Sequence, residues 1–524
     1  MMVSKTLFRT SPGKLAPQTD AVNEAGGVAY ALEPRHALAC YAATGCLSPT
    51  FYASAEVQLD ATLGLCAKVE PEWIAKTAVY ARERAVMKDL PALLTAALSV
   101  RSADLLRTVF SRVIDSPKML RNFVQIVRSG AVGRKSLGTV PKRLVLRWLE
   151  ERSDDQLFNG SVGNAPSLAD ILKMVHPKPA TKSREALYRW LLGKEVPMDE
   201  LPPSVAAFER YKVAPKSAAV PDVPFQMLTA LPLGRDEWAE IARRAPWQTT
   251  RMNLNTFQRH GVFEVPGVTE IVAARLRDPE LIAKARVLPY QLLTAFTSAS
   301  AELPAEIRAA LQDAMEAAIR NVPQVAGKVW IFPDVSGSMH SPVTGFRKGA
   351  TSAVRCIDVA SLVAAAVLRK NPDAEVVPFE SNVVQVALNP RDSVMTNAQK
   401  LASLPAGGTD CSAPLRLLNE RKAKGDLVVY VSDNQSWIDS PWYGCHGGSA
   451  TETMRQWEAF KQRNPAAKML AIDLQPYGTV QGKEREDIIN VGGFSDQVFQ
   501  VIADVAAGHS SAGHWVRQIE SIDL

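Results

Sequence analysis

The chain has 524 residues, 47% hydrophobic and 22% charged, with a net charge of +6. That is too long for one core and too apolar for extended disorder, so two or three folded domains are expected. The charge is uneven: residues 1–320 carry 41 Lys/Arg against 33 Asp/Glu, and residues 321–524 carry 19 against 21. Residues 101–150 alone carry 11 against 3, a surplus equal to that of the whole first part. Such clustering marks a polyanion footprint.

The opening MMVSKTLFRTSPGKL has no apolar core of a secretory signal. The longest uncharged apolar stretch, Val359 to Leu368, is half a bilayer span and reads as a buried helix. The expectation is a cytoplasmic protein without membrane contact. Cysteines at 40, 46, 66, 356, 411 and 445 form no C-x-x-C pair, and their spacing suits buried reduced thiols.

From about residue 30 to 320 apolar residues recur at helical spacing. PEWIAKTAVYARERAVM, ADLLRTVFSRVID, PKMLRNFVQIVRSG, PKRLVLRWLEE and PSLADILKMVHP carry the pattern. Pro71, Pro117, Pro141, Pro166 and Pro304 stand where a first helical turn should start, because a missing N–H costs nothing there. Short helices joined by short loops predict stacked antiparallel pairs of the HEAT or armadillo kind, in an α-solenoid without a strict period. A plain helical bundle is the alternative.

Near residue 322 the pattern changes. GKVWIFPD, AEVVPF, GDLVVYVSD and AAKMLAIDL are short β-branched runs. Helical stretches lie between them, among them TSAVRCIDVASLVAAAVLRK, TETMRQWEAFKQR and SDQVFQVIADVAA. The alternation predicts a doubly wound parallel sheet, with the functional crevice beyond the carboxyl ends of its strands. The fold class is therefore α plus α/β, with a helical-repeat unit over residues 1–321 and a doubly wound unit over 322–524 that the motifs Asp334-Val335-Ser336-Gly337-Ser338, Gly407-Gly408-Thr409-Asp410 and Ser432-Asp433 make von Willebrand factor A-like. The two units are expected to have separate cores.

Asp334-Val335-Ser336-Gly337-Ser338 is a D-x-S-x-S sequence directly after the first run. Gly407-Gly408-Thr409-Asp410 follows in a glycine-rich loop, and Ser432-Asp433 follows LVVYV. The carboxylates of Asp334 and Asp433 with the hydroxyls of Ser336, Ser338 and Thr409 make a hard, all-oxygen shell. Such a shell suits Mg²⁺, with Mn²⁺ or Ca²⁺ possible, and not zinc or copper. Few carboxylate bonds leave the ion electrophilic with one position open, which is the logic of a metal-ion-dependent adhesion site. Asp410 reads as a helix cap or a support for the ligands. No nucleophile–base pair accompanies the set, so the chain is read as a binding protein and not an enzyme. A nuclease would need a second carboxylate cluster.

The motifs LPAGGTDCSAP, DVSGSM, SDNQSW, ARVLPYQLL and LKMVHPKP occur together. With them the sequence resembles the Ro autoantigen, or TROVE, family over nearly its whole length. The resemblance implies a ring of helical repeats closed by the A domain. It implies single-stranded 3′ ends of misfolded noncoding RNA in the ring's hole, and small Y-like RNA on a basic outer face. His176 in LKMVHPKP matches a histidine that contacts Y RNA in that family, whereas a lone histidine at a helix end is otherwise a packed or capping residue. The family's basic pair just upstream is absent, since SVGNAP over 161–166 is uncharged. Arg134, Lys135, Lys142 and Arg143 stand in for it, against the alternative of a solvated helix face. The expected role is a monomeric noncoding-RNA scaffold that presents RNA to an exoribonuclease or other RNA-processing protein. The alternative is a metal-dependent A-domain module that recognises acidic residues of a partner.

Overall fold

The computed structural model describes residues 16–524 except 45–46, 164, 216–218, 286–288, 321, 323, 347–353, 439–449, 495–496 and 509–512. Cys46, Cys445, Asn164 and residues 286–288 of ARVLPYQLL thus lie outside the described residues. Cys40, Cys66, Cys356 and Cys411 are buried and free. Among the described residues no helix is long and apolar enough to cross a membrane.

Helices follow one another from Pro34 to Ala318. Their starts are written locally: Ser54, Ser102, Ser116, Ser153, Ser167 and Thr181 each accept a backbone N–H from the first turn. Pro71 and Pro117 open their helices as expected, and Pro141 stands third in its own. Pro166 and Pro304 instead precede the first turn, because Ser167 and Pro304 take the cap position. The packing follows the solenoid rule in which each helix touches neighbours one and two places along. Pro71–Glu83 packs on Asp89–Arg101 and Ala103–Val113, Asp89–Arg101 on Pro117–Ser129, and Ala103–Val113 on Thr139–Glu150.

The second unit is built on five parallel strands: β3 (Val329–Pro333), β4 (Glu375–Val376), β5 (Leu427–Ser432), β6 (Lys468–Asp473) and β8 (Ile488–Gly492). Their spatial order is β4-β3-β5-β6-β8. β8 is a strand that the apolar runs did not reveal. AEVVPF yields the two-residue edge strand β4, and past Pro378 the pairing with β3 resumes as a single bridge, Phe379 to Asp334. Strand residues are buried on both faces and alternate between two cores. Ile331, Val429, Val431, Leu470, Ile472, Ile489 and Val491 face one core. Trp330, Phe332, Val428, Tyr430, Met469 and Ile488 face the other with Trp457 and Phe460. The run Val359–Leu368 lies inside the buried helix Cys356–Lys370.

The expectation of separate cores is corrected. The first of these two cores is continuous from Leu38 to Ile522 and contains the helical unit as well as one face of the sheet. The chain's early segment also joins the A-like unit directly. Two strands, β1 (Ala21–Val22) and β2 (Val28–Ala31), form a small antiparallel sheet with β7 (Thr479–Val480). Helix Pro34–Thr44 packs on β8, where the Gly492 Cα sits so close that an added Cβ would lie 2.9 Å from Cys40 Cα. His36 Nε2 lies 2.6 Å from the carbonyl of Asn490, and Trp515 Nε1 donates to Tyr80 Oη at 2.8 Å. At the other end, Pro289–Thr297 and Ala305–Ala318 pack on Cys356–Lys370 and Val394–Ala402. The helical succession therefore begins and ends on the A-like unit and closes on itself through it.

Candidate functional site

The carboxyl edge of the sheet gathers all five expected metal-site residues. Parallel pairing in register puts the ends of β3 and β5 side by side, with Pro333 opposite Val431, so Asp334 and Asp433 leave neighbouring strands at one edge. Asp334 Oδ1 accepts the Ser336 N–H at 2.8 Å, and its Oδ2 accepts the Ser432 hydroxyl at 2.6 Å. Ser336 Oγ and Ser338 Oγ lie 3.4 Å apart. The glycine-rich loop is tied on by the Gly337 N–H, which donates to Gly407 O at 2.9 Å, and by the Trp437 N–H to Thr409 O at 3.2 Å. A side chain at Gly408 would collide with the Trp437 indole, so the closeness of these two loops depends on glycine there.

Burial pushes the Asp334 carboxyl up to about 7, with the neighbouring Asp433 carboxylate adding to the rise. Burial likewise raises Asp433. Asp433 Oδ2 is buried without a hydrogen-bond partner, and among the described residues no Lys or Arg forms an ion pair with either carboxylate. Two buried like charges with a spare oxygen and three nearby hydroxyls fit a small divalent cation, which would remove the repulsion. Asp410 points elsewhere: its Oδ1 accepts the Ser412 N–H and hydroxyl, and its Oδ2 pairs with Arg416 at 3.0 Å. Asp410 thus braces the entry of helix Ala413–Glu420, whose cap position is Ser412.

Sequence reading missed a third carboxylate. Asp473 ends β6 beside Ser432, is buried, and has an Oδ2 without a hydrogen-bond partner. Burial raises its carboxyl well above the usual range. The signal was present in AAKMLAIDL, an aspartate at the end of an apolar run. Also missed was the depth of the site: Asp334 and Ser336 are 0% exposed, Asp433 1%, Thr409 3% and Ser338 4%. The expected open position does not face bulk solvent.

The basic residues lie apart from this edge. Arg134 and Lys135 stand in the loop between helices Pro117–Ser129 and Thr139–Glu150, and Lys142 and Arg143 in the first turns of the latter. Lys135 and Arg143 are exposed, and Lys142 is half-buried. Arg134 is partly engaged: its guanidinium donates to Leu137 O at 3.4 Å and lies against Gly138. His176 is exposed and caps helix Leu168–Val175 through its backbone in the left-handed conformation, φ 53°. That helix packs on both Pro117–Ser129 and Thr139–Glu150, so His176 and the four basic residues belong to one sector.

The count over 101–150 overstated the free charge. Arg107, Arg112 and Arg147 pair with Asp104, Glu83 and Glu151. Arg101 and Arg121 donate to backbone carbonyls. What remains is Lys118, Arg128, Lys135, Lys142 and Arg143, joined in the same sector by the exposed Lys173, Lys178 and Lys182. A separate cavity of about 490 Å³ lies where early helices, late helices and the A-like unit meet. Lys88, Lys118 and Lys284 line it with Tyr290, Thr344 and Phe494.

Residues 328–506 match the family model of the Ro60 von Willebrand factor A domain. The chain is similar to Ro proteins along most of its length. It is 26% identical to the RNA-binding protein RO60 of Deinococcus radiodurans, over 96% of this chain and 99% of that one. It is 24% identical to the RNA-binding protein RO60 of Caenorhabditis elegans over 49% of this chain and 39% of that one. Its fold resembles the crystal structure of the Deinococcus radiodurans Ro (RSR) protein at a TM-score of 0.58, with 22% identity, covering 91% of this chain and all of that one. The Ro-type architecture, a helical-repeat unit joined to an A domain with a parallel five-stranded sheet, is the one observed.

Proposed function

We propose that this chain is a noncoding-RNA-binding protein, acting as a scaffold and not as a catalyst. One observation carries the reading: a sector of the helical unit presents Arg128, Lys135, Lys142, Arg143, Lys178 and Lys182 with no acidic partner among the described residues. Evenly solvated surfaces mix both signs, whereas a run of unpaired cations attracts phosphate. The relatives' name, RNA-binding protein, supports the same reading.

In this proposal Y-like RNA lies on that sector, with Arg134 shaping the loop and His176 at its border. Single-stranded RNA ends enter at the cavity where Lys88, Lys118 and Lys284 stand with Glu83, Asp89 and Asp115, threading as a strand and not as an A-form duplex. Asp334, Ser336, Ser338, Thr409 and Asp433 would hold a divalent cation, Mg²⁺ in the first instance, whose charge offsets the paired carboxylates. Cytoplasmic location and hand-over of RNA to a processing nuclease complete the proposal.

The test is RNA binding by a hairpin duplex with and without a single-stranded 3′ extension, followed by fluorescence anisotropy. The expected result is tighter binding of the extended form. Equal affinity for blunt and extended duplexes would assign binding to surface adsorption and remove the role of the cavity.

A further inference from the structure

The five metal-site residues belong to the A domain, yet the segments adjoining them come from the helical unit. The loop 49–53, which precedes helix Ala55–Lys68, crosses the carboxyl edge of the sheet. The Phe346 N–H donates to Pro49 O at 2.7 Å. Tyr477 Oη lies 3.0 Å from Thr50 Oγ1 and 3.2 Å from Gln475 Oε1, and the Gln475 amide donates to Pro342 O at 2.8 Å. The Tyr52 ring stands edge-on to Tyr477, with centroids 5.6 Å apart at 88°. Its hydroxyl neighbours Ser338, on the side of the Asp433 and Asp334 carboxylates.

A second clamp comes from the β1–β2 turn. Asn23 Nδ2 donates to Ser436 O at 2.6 Å and the Glu24 N–H to Gln435 Oε1 at 2.8 Å, fixing the loop that follows Asp433. Gly27 is required in that turn, since a Cβ there would lie 2.4 Å from Ser436 O. None of the five site residues is more than 4% exposed. An acidic side chain of a partner therefore reaches the ion only after these segments leave. The loop is bonded to the A-like unit at Pro49 and Thr50 and stacked on it through Tyr52, so its seat is a built one.

Resting on the metal reading above, we propose that the metal site is a clasp served from within the chain. The Tyr52 hydroxyl of the helical unit fills the ion's remaining coordination position. The position that an adhesion-type site offers to a partner's carboxylate is thereby closed. The bound ion ties the first helices to the sheet edge and so holds the closure between the two units.

The test uses the full chain and Mn²⁺ alone as probe. Electron paramagnetic resonance of free Mn²⁺ gives binding and stoichiometry, and water proton relaxation of bound Mn²⁺ reports exchangeable waters. Asp334→Asn should abolish the bound fraction. Tyr52→Phe, which keeps the ring stack, should keep the stoichiometry and raise relaxation several-fold, as one exchangeable water enters the position that the hydroxyl vacates. Tyr52→Ala should do the same, and added acetate should then lower relaxation in this variant but not in the natural chain. If Mn²⁺ binds, Asp334→Asn removes it, and both Tyr52 variants match the natural chain, the clasp is overturned while the metal site stands. If Asp334→Asn leaves Mn²⁺ binding unchanged, the metal reading falls and the clasp falls with it.

Discussion

Replacing Lys135, Lys142 and Arg143 together by Ala removes three side chains that have no ionic partner among the described residues. If each neutralises one phosphate, the slope of log K against log salt flattens by about 2.7 on duplex-like RNA and about 2.1 on single strands. Over a fourfold rise in salt the natural chain should then lose about 40-fold more affinity for duplex-like RNA than the triple variant. Folding should be spared, because exposed substitutions without partners cost under about 0.5 kcal/mol each. Arg134→Ala separates the two effects. Its guanidinium already donates to Leu137 O and lies against Gly138, so the slope should move by much less than the roughly 0.9 of a phosphate contact. Stability should fall by about 1 kcal/mol with the lost loop bond. Fluorescence anisotropy over a salt series reads the slopes, and urea titration followed by circular dichroism reads stability. An unchanged slope in the triple variant would make this sector an ordinary solvated face and refute the phosphate assignment.

Gly492→Ala places a Cβ 2.9 Å from Cys40 Cα and 3.0 Å from its carbonyl, neither of which can rotate aside. It should cost about 1–3 kcal/mol by urea titration; a neutral result would contradict the docking of helix Pro34–Thr44 on β8. A saturating divalent cation should stabilise the chain, by about 2.7 kcal/mol at a hundred times the dissociation constant, and Asp433→Asn should abolish the gain in thermal melts. In EDTA, stability should fall as pH rises from about 3.8 to about 7. There the unfolded chain has already released the Asp334 proton while the folded chain still holds it, so rising pH favours unfolding. Asp334→Asn should flatten that part of the profile, and an unaltered profile would remove Asp334 as its source.

The sequence by itself determined the local structure and the set of oxygens gathered at the sheet edge. Prolines, serine caps and helical spacing wrote the helices, because those signals act within one turn. D-V-S-G-S after GKVWIFP, the G-G-T-D loop and S-D after LVVYV fixed which oxygens meet, because parallel strands deliver their carboxyl ends to one edge. β8 was not legible, since Ile488–Gly492 is too short to stand out from a buried loop, and its identity comes from pairing with β6. Nor was the fate of individual arginines: Arg112 and Arg121 count as free charge until Glu83 and the Gly160 carbonyl, 29 and 39 residues away, fold against them. The shared core and the cover over Asp334 and Asp433 had no sequence signal either. They arise from Cys40 against Gly492, and from Tyr52 beside Ser338, contacts between residues hundreds apart that only closure of the chain on itself brings together.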